Sequence, residues 1–288
     1  MADARETVRR RLGGALAIAR NTFREAMRDR ILYLVGAFGI IVLMSGKIVG
    51  WVSIGEDIVV VRSVGLSAIP FFGAIMAIFV GTGIIQRELG GRTIYTILAR
   101  PVARWEFVVG KYLGLLGTVL GATAAMSVVF LVYLAVVTSV APGDPVGGAV
   151  PPAAFGWPVF QSLVLSGAEL LVVTAIAVLF SSISTPILSA VFTFFTYVAG
   201  QFASDVMLMS EMLAPEAGAP VGWDIRRILL EALYRVMPNL DMMNVRLNSV
   251  HGIAISNAQL GWTILYAVAY AGLVLVIGCA LFERRNLP

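Results

Sequence analysis

Runs of about twenty apolar residues recur along this chain, and no other feature limits its fold so tightly. A helix that spans a bilayer must cross ~30 Å of hydrocarbon, where an unpaired backbone group finds no partner. Six segments meet that length: 31–50, about 63–85, about 108–140, 159–180, 186–206 and 260–282. The runs are continuous and do not alternate, which excludes a β-barrel. The expected fold is an all-α integral membrane protein with six transmembrane helices. Composition agrees: 59% of the 288 residues are hydrophobic and 13% are charged. Soluble domains carry about 25% charged residues.

Local signals support two of the helix starts. Pro158 follows Trp157 at the fourth run, and Thr185-Pro186 opens the fifth as an N-cap followed by proline at the first helical position. The third run is long enough to tilt or to project beyond the bilayer.

An even number of spans puts both ends on one side, and the positive charges say which. The N-terminal arm 1–30 holds eight arginines, the segment 86–111 holds five Lys/Arg and the tail 283–288 holds Arg284 and Arg285, fifteen in all. The other side holds six: Lys47, Arg62, Arg226, Arg227, Arg235 and Arg246. The positive-inside rule therefore places both termini in the cytoplasm. The pI near 9.5 is then a topology signal, and no nucleic-acid partner is expected. Thirty mostly polar residues precede the first run, with no small-residue cleavage site close behind it, so no cleavable signal is expected.

Two segments outside the spans have helical periodicity. In the arm, Leu12, Leu16, Ala19, Phe23 and Met27 line one face and Arg20, Arg24 and Arg28 another. Such a basic amphipathic helix lies in the cytoplasmic interface and meets membrane lipids; it also offers a surface to a cytoplasmic partner. The largest outer loop, 207–259, contains "WDIRRILLEALYRV", apolar at Ile225, Ile228, Leu229, Ala232, Leu233 and Val236. This spacing predicts a second helix, capped by Asp224 and stopped at Pro238.

Catalytic chemistry is scarce. Gly110-Lys111 is the nearest approach to a phosphate-binding loop, but Trp105 stands where the first glycine belongs and Tyr112 replaces the Ser/Thr. One cysteine, Cys279, and one histidine, His251, leave no disulfide, Cys/His metal site or Ser/His/Asp set. Six methionines (Met207, Met209, Met212, Met237, Met242 and Met243) crowd the third outer loop. Thioethers suit Cu(I), but methionine is also common packing material, and no metal site is assigned. No catalytic residue is expected.

Two intramembrane features stand out. Glu169 lies ten residues into the fourth run. A charge at mid-bilayer costs about 2.5–3.5 kcal/mol, so Glu169 should face the bundle or a cavity. It reads as part of a substrate path, a gating pair with a group such as Lys47, or a structural hydrogen bond. Gly110, Gly114, Gly117 and Gly121 form two GxxxG pairs, which let another helix approach closely. That helix belongs either to the same subunit or to a second copy.

The most unusual stretch is "GTGIIQRELGGRTIYTILARPVARWEFVVGKYLG", 81–114, a basic, turn-rich interruption between apolar runs. Glu88, Gly91, Arg92 and Thr93, then Arg100-Pro101, Arg104, Glu106-Phe107 and Gly110-Lys111-Tyr112-Leu113, resemble the permease subunit of type-2 ABC transporters. They resemble especially the branch associated with multi-copper-enzyme maturation. "ARNTFREAMRDRILYLV" before the first span and "LFERRNL" at the end resemble the same family. The resemblance implies two permease copies, as a homodimer, with two separate ATP-binding-cassette ATPase subunits that hold ATP and Mg²⁺; no cofactor is implied in this chain. It makes 86–107 a coupling segment seated on the ATPase, through Glu88, Arg92, Thr93, Arg100, Pro101 and Arg104. The short link 181–185 would be a smaller contact. The expected function is export driven by the partner's ATP hydrolysis. Two other readings stay open: a carrier driven by an ion gradient, and a scaffold that relays ATPase motion to an extracytoplasmic partner.

Overall fold

The computed structural model describes residues 2–50, 57–90, 104–140, 156–212, 234 and 237–284. These residues are helical almost throughout, and no strand occurs among them. The helices are α1 (Ala2–Ala26), α2 (Arg30–Gly50), α3 (Asp57–Gly90), α4 (Arg104–Val140), α5 (Trp157–Ile183), α6 (Pro186–Gln201), α7 (Ala203–Met212), α8 (Arg246–Val250) and α9 (Asn257–Arg284). The coupling residues Arg92, Thr93, Arg100 and Pro101, and most of the expected outer helix 224–236, lie outside the described residues.

By length and composition, α3, α4, α5 and α9 can each cross a membrane. α6 and α7 pass that test together, although they meet at a 60° bend, which gives up to five spans. α2 contributes a shorter apolar helix over Arg30–Ser45. α4 is 37 residues long, or about 55 Å at 1.5 Å per residue. It therefore outlasts a ~30 Å hydrocarbon core.

α3 and α5 form the centre and are mostly buried, whereas α4 and α9 turn most of their surface outward. α2 packs on α3, α9 on α5, and α1 on α4. Trp262, Leu265 and Val276 of α9 are exposed, as suits side chains whose solvent is lipid. The two ends of the bundle differ. At one, Phe107 of α4 stacks on Phe282 of α9 with ring centroids 5.8 Å apart. At the other, Ser249 Oγ donates to the Pro158 carbonyl at 2.7 Å, and Arg62 Nη1 donates to the Val250 carbonyl at 3.1 Å.

Helix boundaries follow local chemistry. Asp29 closes the gap between α1 and α2 by accepting from the Ile31 N–H at 2.9 Å. α5 starts with Pro158 in its first turn behind an extended Gly156. Thr185 holds the cap position of α6 and Pro186 follows it, but the Thr185 hydroxyl makes no capping bond. Ser189 Oγ instead donates to the Phe180 carbonyl at 2.9 Å, across the tight 184–185 turn.

The fifth apolar run reads as one span to 206, yet the helix breaks at Phe202. The break has a tertiary cause. The Leu240 N–H donates to the Gly200 carbonyl at 3.1 Å. A Cβ on Gly200 would lie 2.8 Å from the Pro238 carbonyl oxygen, so only glycine lets this loop close on the helix.

Candidate functional site

Two places in the bundle gather the residues to which the sequence drew attention. The first is the seam between α1 and α4. Gly110 faces Ala15 and Ile18, and Gly114 faces Ala19 and Thr22. A Cβ on Gly110 would lie 2.8 Å from the Ala15 carbonyl oxygen, and one on Gly114 would lie 2.5 Å from that of Ala19. Gly117 makes ordinary contact with Phe23 at 3.5 Å, and Gly121 meets nothing within 4 Å. The buried face of α1 is thus Ala15, Ala19, Thr22 and Ala26, while Leu16, Phe23 and Met27 stay partly or largely exposed. Of the expected apolar stripe on α1, Ala19 meets Gly114 and Phe23 touches Gly117, while Leu16, Phe23 and Met27 keep the exposed apolar surface that a helix at a membrane interface presents. Close approach of two backbones selects small residues on both helices, and the larger apolar groups turn outward.

The same seam buries charge. Glu106 and Lys111 are 3% and 1% exposed. Lys111 Nζ lies 4.0 Å from Glu25 Oε2 of α1 and 5.7 Å above the Phe107 ring. α4 therefore enters the bundle held to α1 on one side and to α9, through Phe282, on the other. The helix bearing Glu88 ends at Gly90, and the helix beginning at Arg104 follows. The side chains of Glu88 and Arg104 lie outside the described residues.

The second place surrounds Glu169. A cavity of about 620 Å³ lies among α3, α5, α6 and the 243–246 segment. Glu169 is 3% exposed and reaches this cavity from α5. Its Oε1 accepts from Gln201 Nε2 at 2.6 Å, and Tyr197 is its second hydrogen-bond partner. Both donors come from α6, and Gln201 is the last residue before the 60° break. Ser162 and Ser166 of α5 line the same cavity, as do Ser67 of α3, Asn244 and Arg246. Arg246 Nη1 donates to Ser67 Oγ. Lys47, weighed as a partner for Glu169, lies outside the residues whose side chains are described.

Gln201, Tyr197 and Arg246 are the members of this site that sequence reasoning passed over. An amide inside an apolar run was the available signal for Gln201. Arg246 was counted only as a loop charge, because its approach to α3 crosses 179 residues of chain.

The carboxylate and its donor should respond unequally to deletion. Gln201→Leu leaves a buried carboxylate short of one charge-assisted donor, a cost of about 1.5–3 kcal/mol. Glu169→Leu removes the group that needed the donor, so it should cost less or nothing. Thermal unfolding of the two purified variants checks this: the Gln201→Leu protein should melt lower. Equal melting would mean that the bond does not support the carboxylate.

Residues 16–287 match the sequence pattern of a family described as ABC-2 family transporter protein. No curated protein matches the chain significantly.

Proposed function

The chain belongs to the ABC-2 family of transporter proteins, and from that premise we propose that it is the permease subunit of an ATP-binding-cassette exporter. Membership makes it a multi-pass membrane component of an ABC transporter, not itself catalytic, in a family that normally works with an ATP-binding ATPase. The proposal adds direction, topology and the place of coupling. The reading takes the six apolar runs as six spans of a prokaryotic inner membrane, and the charge asymmetry supports an orientation with both termini in the cytoplasm. Two copies would pair, each with its own ATPase.

The family match over nearly the whole chain carries the reading. The seam between α1 and α4 supports the coupling assignment. Residues 91–103 join the end of α3 to the start of α4, and α4 is fixed there to α1 and α9. A push delivered to that segment would reach α3 and α4 along their helix axes. Glu88, Arg92, Thr93, Arg100, Pro101 and Arg104 are the proposed contact residues.

Co-expression with an ATP-binding-cassette subunit tests this. The ATPase should co-purify with the wild-type chain. Arg92→Glu should reduce its recovery by about tenfold, the effect of one reversed contact worth ~1.4 kcal/mol. Pro101→Gly should retain binding better while uncoupling ATP hydrolysis from transport, because it removes a rigid end from the segment. Unchanged recovery and coupling in both variants would sink the assignment. Transport in liposomes without any ATPase, abolished by Glu169→Gln, would favour a gradient-driven carrier. Coupled hydrolysis with no substrate movement would favour the scaffold.

A further inference from the structure

We propose that the Glu169 cavity is a binding site for a small zwitterion, with its ammonium group at Glu169 and its acidic group at Arg246. The cavity holds one carboxylate and one guanidinium, and among the described residues the two form no ion pair with each other. Each keeps binding capacity. An ionised carboxylate offers about four acceptor positions; Gln201 and Tyr197 occupy two of them. A guanidinium has five N–H donors, and Ser67 takes one. The C-terminal end of α6 adds its negative dipole beside Glu169, which further favours a cation there. A broken helix with an acidic group at the break suits an ammonium ion better than an anion.

The two charges narrow the ligand to one that carries both. Glu169 and Arg246 line one cavity, so the cation and the anion belong to one small molecule, such as a free amino acid or a phosphoethanolamine unit. Ser162 and Ser166 supply neutral hydrogen-bonding groups along the wall between the two charges. The volume, about 620 Å³, lies within the ~300–1,000 Å³ range of small-ligand sites.

Phosphoethanolamine chemistry occurs free in solution and as a lipid headgroup, and the test separates the two. The purified permease is used without ATPase, so the result does not depend on the coupling assignment. Isotope-labelled alanine and O-phosphoethanolamine are measured by equilibrium binding in detergent. A parallel arm places the protein in phosphatidylglycerol nanodiscs with increasing phosphatidylethanolamine and counts retained lipid by native mass spectrometry. Binding of the soluble probes indicates a free solute; selective retention of phosphatidylethanolamine indicates the headgroup; either supports the site. Glu169→Gln and Arg246→Gln should each weaken binding about tenfold or more, the loss of one charge-assisted hydrogen bond. On the wild-type protein, ethanolamine and methyl phosphate, which each carry one of the two charges, should bind about tenfold weaker than O-phosphoethanolamine. No binding in either arm would overturn the proposal. Equal binding of the singly charged probes, a comparison that needs no folded variant, would also overturn it.

Discussion

Gly114→Val should unseat α1 from the bundle, whereas Gly121→Ala, two helical turns away on the same helix, should stabilise the protein. Both changes improve helix propensity, by up to ~1 kcal/mol for alanine. Their surroundings decide the outcome. At Gly121 a new Cβ meets nothing within 4 Å, so the propensity gain stands. At Gly114 the Cβ would press on the Ala19 carbonyl at 2.5 Å and on Thr22 Cβ at 2.6 Å. A backbone carbonyl cannot rotate away, so the whole of α1 must move. Overpacking of this kind costs about 1–3 kcal/mol for small increments, and valine adds two further methyl groups. Displacing α1 would also separate Glu25 from the buried Lys111, 4.0 Å away, and lose that attraction. Two measurements check this. Thermal unfolding should order the proteins Gly121→Ala above wild type above Gly114→Val. Limited trypsinolysis should cut at Arg20 and Arg24 faster in Gly114→Val. If Gly114→Val melts with wild type and resists trypsin equally, α1 does not depend on this seam.

That seam shows where reading the sequence succeeds and where it stops. The glycine spacing is visible as a place for a close neighbour, because small residues let backbones approach. Its neighbour is not visible. Hydropathy periodicity sets Leu12, Leu16, Ala19, Phe23 and Met27 on one face of α1. Contact with glycine uses Ala19 of that face together with Ala15, Ile18 and Thr22, which the periodicity passes over. The long helices are legible for a stronger reason. Lipid requires every backbone group to be paired within its own segment, and this forces uninterrupted apolar runs.

The Glu169 site divides along the same line. A carboxylate inside an apolar run is conspicuous in one dimension. Its partners lie 28 and 32 residues further on, four apart on one face of α6, which stops at Gln201. Within 186–206 the stop is marked by Gly200, where a Cβ would meet the Pro238 carbonyl. It follows from Leu240 bonding back to Gly200, a contact between a span and a loop that no local pattern encodes. Arg246 enters the site by the same route, carried to α3 by the loop that breaks the helix. The loop that closes on Gly200 therefore also brings Arg246 to the cavity that Glu169 lines.

The other end of that loop gives the second large effect. Gln161 of α5, 1% exposed, pairs with the backbone of Ile255 in both directions. Its Nε2 donates to the Ile255 carbonyl at 2.8 Å, and its Oε1 accepts the Ile255 N–H at 3.0 Å. One side chain thereby satisfies both polar groups of a residue that sits just before α9. Gln161→Leu keeps the volume but leaves two buried backbone groups without partners. Each costs about 1–3 kcal/mol, so the loss should reach about 2–6 kcal/mol. The added apolar burial returns at most ~1.5 kcal/mol. Trp157→Phe removes a neighbouring link between the same elements, the 3.3 Å bond from Trp157 Nε1 to Asn257 Oδ1. That bond is exposed, water can replace it, and the change should cost under ~1 kcal/mol. Thermal unfolding should show a large drop for Gln161→Leu and a small one for Trp157→Phe. Hydrogen exchange should rise at Ile255 in the first variant only. Similar losses in the two variants would mean that α9 is anchored by its packing on α5 and not by Gln161. The predicted asymmetry instead makes Gln161 the joint that sets the depth of the last span, and with it the position of Phe282 against Phe107 at the far end of the bundle.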